Sequence, residues 1–424
     1  MELDLKNIGK IKTANVVIDG ITVIAGENDT GKSTVSRALY SIFNSFYDID
    51  NKIKQTRKDS IENSVFMLLR TSSISFSDMD VMEEVTNRIL SLFQNSDSDF
   101  QTIEKEFRNI ISDPHLEDKL EMDPNVVSEI LNRIKEALEL PDENVINIII
   151  NKSVQSEFHD QVSNIFTGAP GEIRLKIKDR DFAVNIDGNR VTSISYPGGP
   201  GFYTEAVYLD DSFVLDDWRS IRYHRGSVTM DHREQLRHKL LGPVRDANLI
   251  DEVLTSNKFK RIYEKVSAVC NGEVIRDKRT GLGLKRKNSD KVINIANLST
   301  GIKTFVVLKE LLENGILNYN GIILLDEPEV HLHPEWQLLF AEIIVLIHKE
   351  FGMHILLNTH SPYFLRAIQV FSAKHEVANM CRYYMSAPEG DLATITDVTN
   401  NIEEIYAKLS RPLQQLEDLR WQDD

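Results

Sequence analysis

Short apolar runs broken by turn residues open the chain. In "LDLKNIGKIKTANVVIDGITVIAGENDTGKST" the breaks at Asn7-Ile8-Gly9 and Asp19-Gly20 predict a strand, a turn, a second strand, a hairpin turn at Asp19-Gly20 and a third strand over Ile21–Ala25. The apolar spacing then becomes helical. Val35, Leu39, Ile42, Phe43 and Phe46 predict a helix that starts near Gly31. Residues 50–167 read as largely helical, cut into separate helices by Pro114, Pro124 and Pro141, without a sustained heptad or an internal repeat. After the boundary "TGAPG" (Thr167–Gly171), "EIRLKIKDRDFAVNIDGNRVTSISY" alternates apolar and polar positions around an Asp187-Gly188 turn, which predicts an antiparallel β unit.

Beyond the loop "YPGGPG" (Tyr196–Gly201), the run Ala206–Leu209 reads as a buried strand and Leu236, Leu240 and Leu241 as one face of a helix. From Val292 onward strands and helices alternate, the signature of an α/β sheet. The polar end "EDLRWQDD" is expected to fray. Segment boundaries follow: 1–50, a helical insertion over 51–167, an antiparallel β unit over 168–200, a connecting region over 201–291, and 292–424.

Composition narrows the class. The 424 residues are 41% hydrophobic and 27% charged, ordinary for a soluble globular protein. The apolar run "GIILL" (Gly321–Leu325) is far short of the roughly 20 residues that span a bilayer, and Met1–Lys12 lacks the apolar core of a secretory signal. Cys270 and Cys381 form no C-x-x-C pair, so a cytoplasmic protein without structural disulfides and without membrane attachment is expected. A net charge of −16 argues against coating nucleic acid with the whole surface. The basic stretch Arg276–Lys291 is either a local nucleic-acid patch or a solvated hairpin.

Candidate chemistry lies in four places. Gly26, Glu27, Asn28, Asp29, Thr30, Gly31, Lys32, Ser33 and Thr34 fit G-x-x-x-x-G-K-[ST] between a strand and a helix, so backbone N–H groups cradle phosphate, Lys32 reaches the terminal phosphates and Ser33 binds Mg²⁺. "GIILLDEPEVHLHPEW" puts Asp326 at the end of a buried strand, where it can hold Mg²⁺, and Glu327 one residue on, where it can polarise the attacking water. Pro328 ends that strand, so both carboxylates emerge at the sheet edge. "HILLNTHSPYFL" ends a further strand at His360, a candidate γ-phosphate sensor. "ANLSTGIKT" places Ser299, Thr300 and Gly301 at a helix N-terminus, which suits an anion.

These elements, in this order, resemble the head of ABC-class ATPases within the AAA group. Gly26–Ser33 matches the Walker A loop, Leu298–Gly301 the signature, Ile322–Glu327 the Walker B strand and His360 the switch histidine. "DEPEVHLHP" and "NTHSP" are similar to the SMC-like and OLD-like branch, with His331–Pro334 in the D-loop position, and the layout looks most like the ATPase subunits of Septu-type and retron-associated anti-phage defence. The resemblance implies an α/β fold: an ABC-type head with a mixed β-sheet, flanking helices, an antiparallel β unit and a helical insertion. It implies ATP and Mg²⁺ as ligands, and a head-to-tail dimer or higher homo-oligomer in which Ser299, Thr300 and Gly301 act in trans. It also implies a separate HNH-type nuclease partner. Two features depart from the family pattern. Thr300 stands where Gly or Ser is usual, and Asp210 and Asp211 follow the strand at which a glutamine loop is expected. No Toprim metal set, H-N-H arrangement or zinc spacing follows His360, so no intrinsic nuclease is expected. Two alternatives are a DNA-repair ATPase that clamps duplex DNA, motivated by Arg276–Lys291, and a transporter's nucleotide-binding subunit, disfavoured by the long interval between Lys32 and Asp326.

Overall fold

The structure, a computed structural model, describes residues 1–71, 88, 91, 100–112, 124–216, 230–241, 249–277, 281–287, 289–317 and 320–420. Two compact units emerge, the larger from residues 1–47, 150–224 and 229–424 and the smaller centred on 48–149.

The larger unit is built on a mixed sheet. Its strands are β1 (Glu2–Ile8), β2 (Ile11–Val17), β3 (Ile21–Gly26), β4 (Gly171–Ile177), β5 (Arg180–Asp187), β6 (Arg190–Ser195) and β7 (Ala206–Leu209). A separate small antiparallel sheet holds β8 (Gly272–Asp277), β9 (Gly281–Arg286) and β10 (Val292–Asn294). The main sheet is completed by β11 (Ile322–Asp326), β12 (His354–Thr359), β13 (Cys381–Glu389) and β14 (Leu392–Asp397), in the order β6-β5-β4-β1-β2-β14-β13-β3-β12-β11-β7 among the described residues. From β13 to β7 neighbouring strands run parallel; from β6 to β2 they are antiparallel. This gives the α/β class expected. It also explains the sequence pattern, since β3, β7 and the first four residues of β11 are buried on both faces and read as continuous apolar runs.

Helix α1 (Lys32–Phe46) follows β3 and buries Val35, Leu39, Ile42, Phe43 and Phe46, the face read from the sequence. In the smaller unit lie α2 (Ile49–Thr71), α3 (Phe100–Ile111) and α4 (Pro124–Glu139), with Ile61, Phe107, Ile130 and Ile134 buried. α5 (Asp142–Glu157) contributes to both units. Pro124 and Pro141 stand at helix boundaries as the sequence suggested, whereas Pro114 lies outside the described residues.

The larger unit continues with α6 (His232–Leu241), α7 (Leu249–Cys270), α8 (Thr300–Glu313), α9 (Pro334–Phe351), α10 (Pro362–Lys374), α11 (Glu403–Leu409) and α12 (Arg411–Arg420). Leu236 and Leu240 of α6 are buried; the Leu241 side chain lies outside the described residues. The main core joins α8, α9 and α10 to the sheet through Phe305, Leu308, Phe340, Ile344, Phe364 and Ile368. One buried carboxylate ties three of these helices: Glu342 of α9 meets Lys265 of α7 at 2.6 Å, Lys374 of α10 at 2.9 Å and His375 at 3.1 Å. Cys270 and Cys381 are both free and buried.

Three local expectations are corrected. Asp19-Gly20 is not a hairpin turn, because β2 pairs with β1 and β14 whereas β3 pairs with β12 and β13. Gly20 has a left-handed φ of 68°, and a Cβ on it would sit 2.2 Å from the Met380 carbonyl oxygen, so close backbone approach requires glycine there. The antiparallel unit has three strands, with an extra turn at Lys178 (φ 52°), and its β5–β6 turn rests on Gly188 and Asn189, both left-handed. Of the end expected to fray, residues 417–420 are helical, while 421–424 lie outside the described residues.

Candidate nucleotide site

The phosphate loop is set by close packing at the C-terminal end of β3. A Cβ on Gly26 would meet the Ser386 carbonyl oxygen at 2.5 Å, and one on Gly31 would meet Ile11 at 2.5 Å. Asp29 (φ 61°) and Gly31 (φ 79°) are left-handed, the backbone turn that points successive N–H groups into a concavity. The loop is pinned by Ser386 Oγ donating to the Thr30 carbonyl at 2.6 Å and Thr30 Oγ1 donating to the Glu27 carbonyl at 2.8 Å. Lys10 pairs with Asp29 beside it. Gly31 caps α1 without a side chain, leaving first-turn N–H groups for a ligand.

Lys32, the first residue of α1, is 4% exposed. Its ammonium donates to the carbonyls of Gly26 (3.1 Å) and Glu27 (2.8 Å) and lies 3.3 Å from Glu327 Oε1. The other carboxylate oxygen of Glu327 is 3.2 Å from His360 Nδ1, an ion-pair distance at which the ring nitrogen is not aligned for a hydrogen bond. Glu327 adopts φ 48°, unusual for a residue with a side chain, and its N–H donates to the Asn358 carbonyl at 2.9 Å. Strain of this kind re-aims the side chain after β11, and Pro328 prevents the strand from continuing.

Asp326 pairs in register with Asn358 across the β11–β12 ladder. Its Oδ1 accepts from Asn358 Nδ2 at 3.0 Å, and its Oδ2 accepts from the Tyr208 hydroxyl at 3.1 Å. Asn358 Nδ2 also donates to Ser36 Oγ on α1 at 2.9 Å, which links the carboxylate to the helix behind the phosphate loop. Glu329 is buried against Thr359, whose hydroxyl donates to it, and burial pushes the Glu329 carboxyl up. Tyr208, Asn358, Glu329 and Thr359 were missed by sequence reasoning. The last three lie within the motifs "DEPE" (Asp326–Glu329) and "NTH" (Asn358–His360), a signal that was available. Tyr208 offers none, because its partner lies 118 residues away.

Ser299, Thr300 and Gly301 sit elsewhere in the same chain. Ser299 is the N-cap of α8, exposed, and its hydroxyl makes no cap hydrogen bond. Ser212 Oγ donates to the Thr300 carbonyl at 3.3 Å. A Cβ on Gly301 would lie 2.8 Å from the His331 carbonyl oxygen and 3.3 Å from the Trp336 ring, so the signature turn is moulded onto the segment after Glu327. The two acids after β7 are already engaged. Asp210 is 2.6 Å from Arg233 and 3.0 Å from His232, while Asp211 caps the 3₁₀ turn Ser212–Leu215. The basic stretch Arg276–Lys291 falls on β8–β10; Arg276 pairs with Glu310 at 2.9 Å, and Lys285 lies 3.5 Å from Asp290.

Residues 228–365 match the AAA ATPase domain family. The matched region contains Ser299, Asp326, Glu327 and His360; the phosphate loop precedes it. The chain is also 41% identical over 181 residues to the Septu protein PtuA of Bacillus thuringiensis, covering 38% of this chain and 41% of that protein. To the Retron Vc95 probable ATPase of Vibrio cholerae serotype O1 biovar El Tor it is 38% identical over 88 residues, covering 18% of this chain and 16% of that protein. It therefore spans well under half the length of either relative. Among solved structures, the SMC head domain from Thermotoga maritima superposes with a TM-score of 0.39 at 12% identity, covering 94% of this chain and 98% of that one. Among the described residues, no helix is long and apolar enough to cross a membrane.

Proposed function

We propose that this chain binds and hydrolyses ATP as the ATPase subunit of an anti-phage defence complex, holding and controlling a separate nuclease of the HNH type. The observation that carries the reading is that the Glu327 carboxylate, just after β11, lies within 3.3 Å of both Lys32 at the start of α1 and His360 just after β12. The relatives named Septu protein PtuA and retron ATPase support the defence setting.

In this reading the backbone of residues 26–34 cradles the phosphates. Lys32 exchanges the Gly26 and Glu27 carbonyls for the terminal phosphate oxygens. Glu327 takes the proton from the attacking water, and His360 donates to the γ-phosphate as charge builds on it. Ser33 and Asp326 offer a hydroxyl and a carboxylate, hard oxygen donors that suit Mg²⁺. Two of the roughly four lone-pair sites of Asp326 are used by Asn358 and Tyr208, which leaves capacity for the ion or its waters. When bound, Mg²⁺ supplies charge neutralisation on the phosphate oxygens. Ser299, Thr300 and Gly301 of a second copy close the site, consistent with an exposed Ser299 hydroxyl that its own helix does not use. This makes the working form a head-to-tail dimer or a larger ring. The segments 51–167 and 168–200 are then the surfaces left for the nuclease.

The test is purification of the full chain co-expressed with the products of the genes that flank its own, an HNH protein being expected among them. Mg²⁺-dependent ATP binding, phosphate release and co-purification of the nuclease are expected. A chain that binds no ATP and retains no nuclease overturns the reading.

A further inference from the structure

Tyr208 stands on β7, the edge strand paired in parallel to β11, and is 1% exposed. Its register partner is Leu324, so it enters the sheet two residues before Asp326 and its side chain reaches forward along the strands. The hydroxyl ends 3.1 Å from Asp326 Oδ2, while Asn358 donates to Oδ1 at 3.0 Å. Each oxygen of the Asp326 carboxylate is thus held by one neutral donor, one from each neighbouring strand. Neither donor brings a charge that would compete with a cation.

The ring of Tyr208 is itself fixed. His232, the first residue of α6, stacks on it with centroids 4.1 Å apart and planes at 24°. That imidazole is clamped in turn, with Nδ1 2.7 Å from Glu157 Oε1 and Nε2 3.0 Å from Asp210 Oδ2. The His232 backbone N–H donates to Glu157 Oε2 at 3.1 Å, so Glu157 also caps the helix. Tyr40 of α1 packs against both rings, 5.9 Å from Tyr208 and 6.0 Å from His232. A rigid, buried stack therefore stands behind a single hydroxyl whose outlet is Asp326.

We infer that Tyr208 is a positioning residue for Mg²⁺ at the nucleotide site: its hydroxyl, braced by the clamped His232, fixes the rotamer of Asp326 so that one carboxylate edge faces the ion. This rests on the reading of Asp326 as a Mg²⁺ ligand. Groups that orient a metal-binding carboxylate without touching the metal are commonly worth 10- to 100-fold in metal affinity. An unbraced Asp326 would rotate among other rotamers and lose that preorganisation.

The experiment is Tyr208→Phe in the full chain, which removes the hydroxyl and keeps the ring and its stack on His232. The probe is a fluorescent N-methylanthraniloyl ATP, titrated with and without Mg²⁺, beside a thermal-unfolding check. Unchanged binding in EDTA, an unchanged unfolding temperature and a loss of about tenfold in the Mg²⁺-induced gain in affinity are expected, with the Mg²⁺ concentration for half-maximal ATP hydrolysis rising in parallel. If the wild type shows the Mg²⁺ gain and Tyr208→Phe keeps it in full, the inference falls while the ATPase reading stands. If the wild type binds no nucleotide at all, the ATPase reading falls and this inference with it. If Tyr208→Phe lowers the unfolding temperature and binding in EDTA together, the residue is structural and the positioning role is overturned.

Discussion

The carboxylate of Glu327 bridges Lys32, 3.3 Å from one oxygen, and His360, 3.2 Å from the other. Glu327 and His360 directly follow β11 and β12, while Lys32 opens α1 after the loop that leaves β3, so three neighbouring parallel strands and that loop set their meeting point. Glu327→Gln keeps the side chain's shape and hydrogen-bonding reach but removes the base. Hydrolysis is expected to drop by roughly 10²- to 10⁴-fold with nucleotide binding retained, measured as phosphate release beside equilibrium binding. Normal turnover in Glu327→Gln would show that another group takes the proton.

Lys32→Ala removes the ammonium that points into the phosphate loop from the first turn of α1. Nucleotide binding is expected to disappear, because the terminal phosphates lose their only point charge from the loop itself. The variant also leaves Glu327 facing His360 alone, which separates it from Glu327→Gln. Isothermal titration with ATP gives the answer, and wild-type affinity would remove Lys32 from the site.

Much of this site was legible because its strands are buried on both faces. "ITVIAG", "IILLD" and "HILLNT" read as largely apolar runs, each leading directly into a candidate motif. What the local pattern misread is long-range pairing. Asp19-Gly20 carries a hairpin signal, yet β13 and β14, contributed by residues 381–397, fill the space between β2 and β3. The Lys178 turn lacks a glycine, so alternation seemed to run on through two strands. Tyr208 was read only as part of an apolar strand, because its hydroxyl partner lies on a different strand of the folded sheet.

His232 supplies a pH test. Burial works against its charge, but contact with Asp210 and Glu157 outweighs that and lifts its pKa from 6.5 to about 9. Asp210 is held well below the usual carboxylate range despite burial, by His232 and by Arg233. Because the folded pKa of His232 is raised, its stabilisation is fully present below pH 6.5 and lost as pH rises through about 9. A shift of that size corresponds to about 3 kcal/mol. His232→Gln is expected to unfold at a lower temperature than wild type at pH 6, with the gap narrowing towards pH 9.5. Thermal melts across that range check it, and a constant gap would show that the imidazole stays neutral.

Glu342 gives the opposite sign. Burial raises its carboxyl, but Lys265, Lys374 and His375 outweigh burial and bring it from 4.5 down to about 2. Its stabilisation is present above pH 4.5 and lost as pH falls through about 2. Glu342→Ala leaves two ammonium groups and the His375 imidazole around an empty position between α7, α9 and α10, and is expected to cost about 2 kcal/mol at neutral pH. Urea unfolding at pH 7 and pH 3 is the measurement, and a difference that grows on acidification would contradict the assignment.

The shared-site arrangement can be tested by complementation. Ser299→Asp keeps a good helix cap, since Asp caps as well as Ser, but sets a negative charge where the phosphate of a neighbouring copy would sit. Alone, Ser299→Asp has an intact Lys32 site facing a repelling signature, and Lys32→Ala has the reverse defect. Both are expected to be inactive. Mixed in equal amounts and allowed to exchange, they create sites in which a wild-type Lys32 from one copy meets a wild-type Ser299 from the next. Random assembly in any head-to-tail dimer or ring makes about a quarter of the sites of this intact kind. Recovery of hydrolysis to about a quarter of wild type on mixing is therefore expected, measured as phosphate release after co-incubation. If Lys32 and Ser299 served the same copy, every site would carry one defect or the other, and mixing would recover nothing.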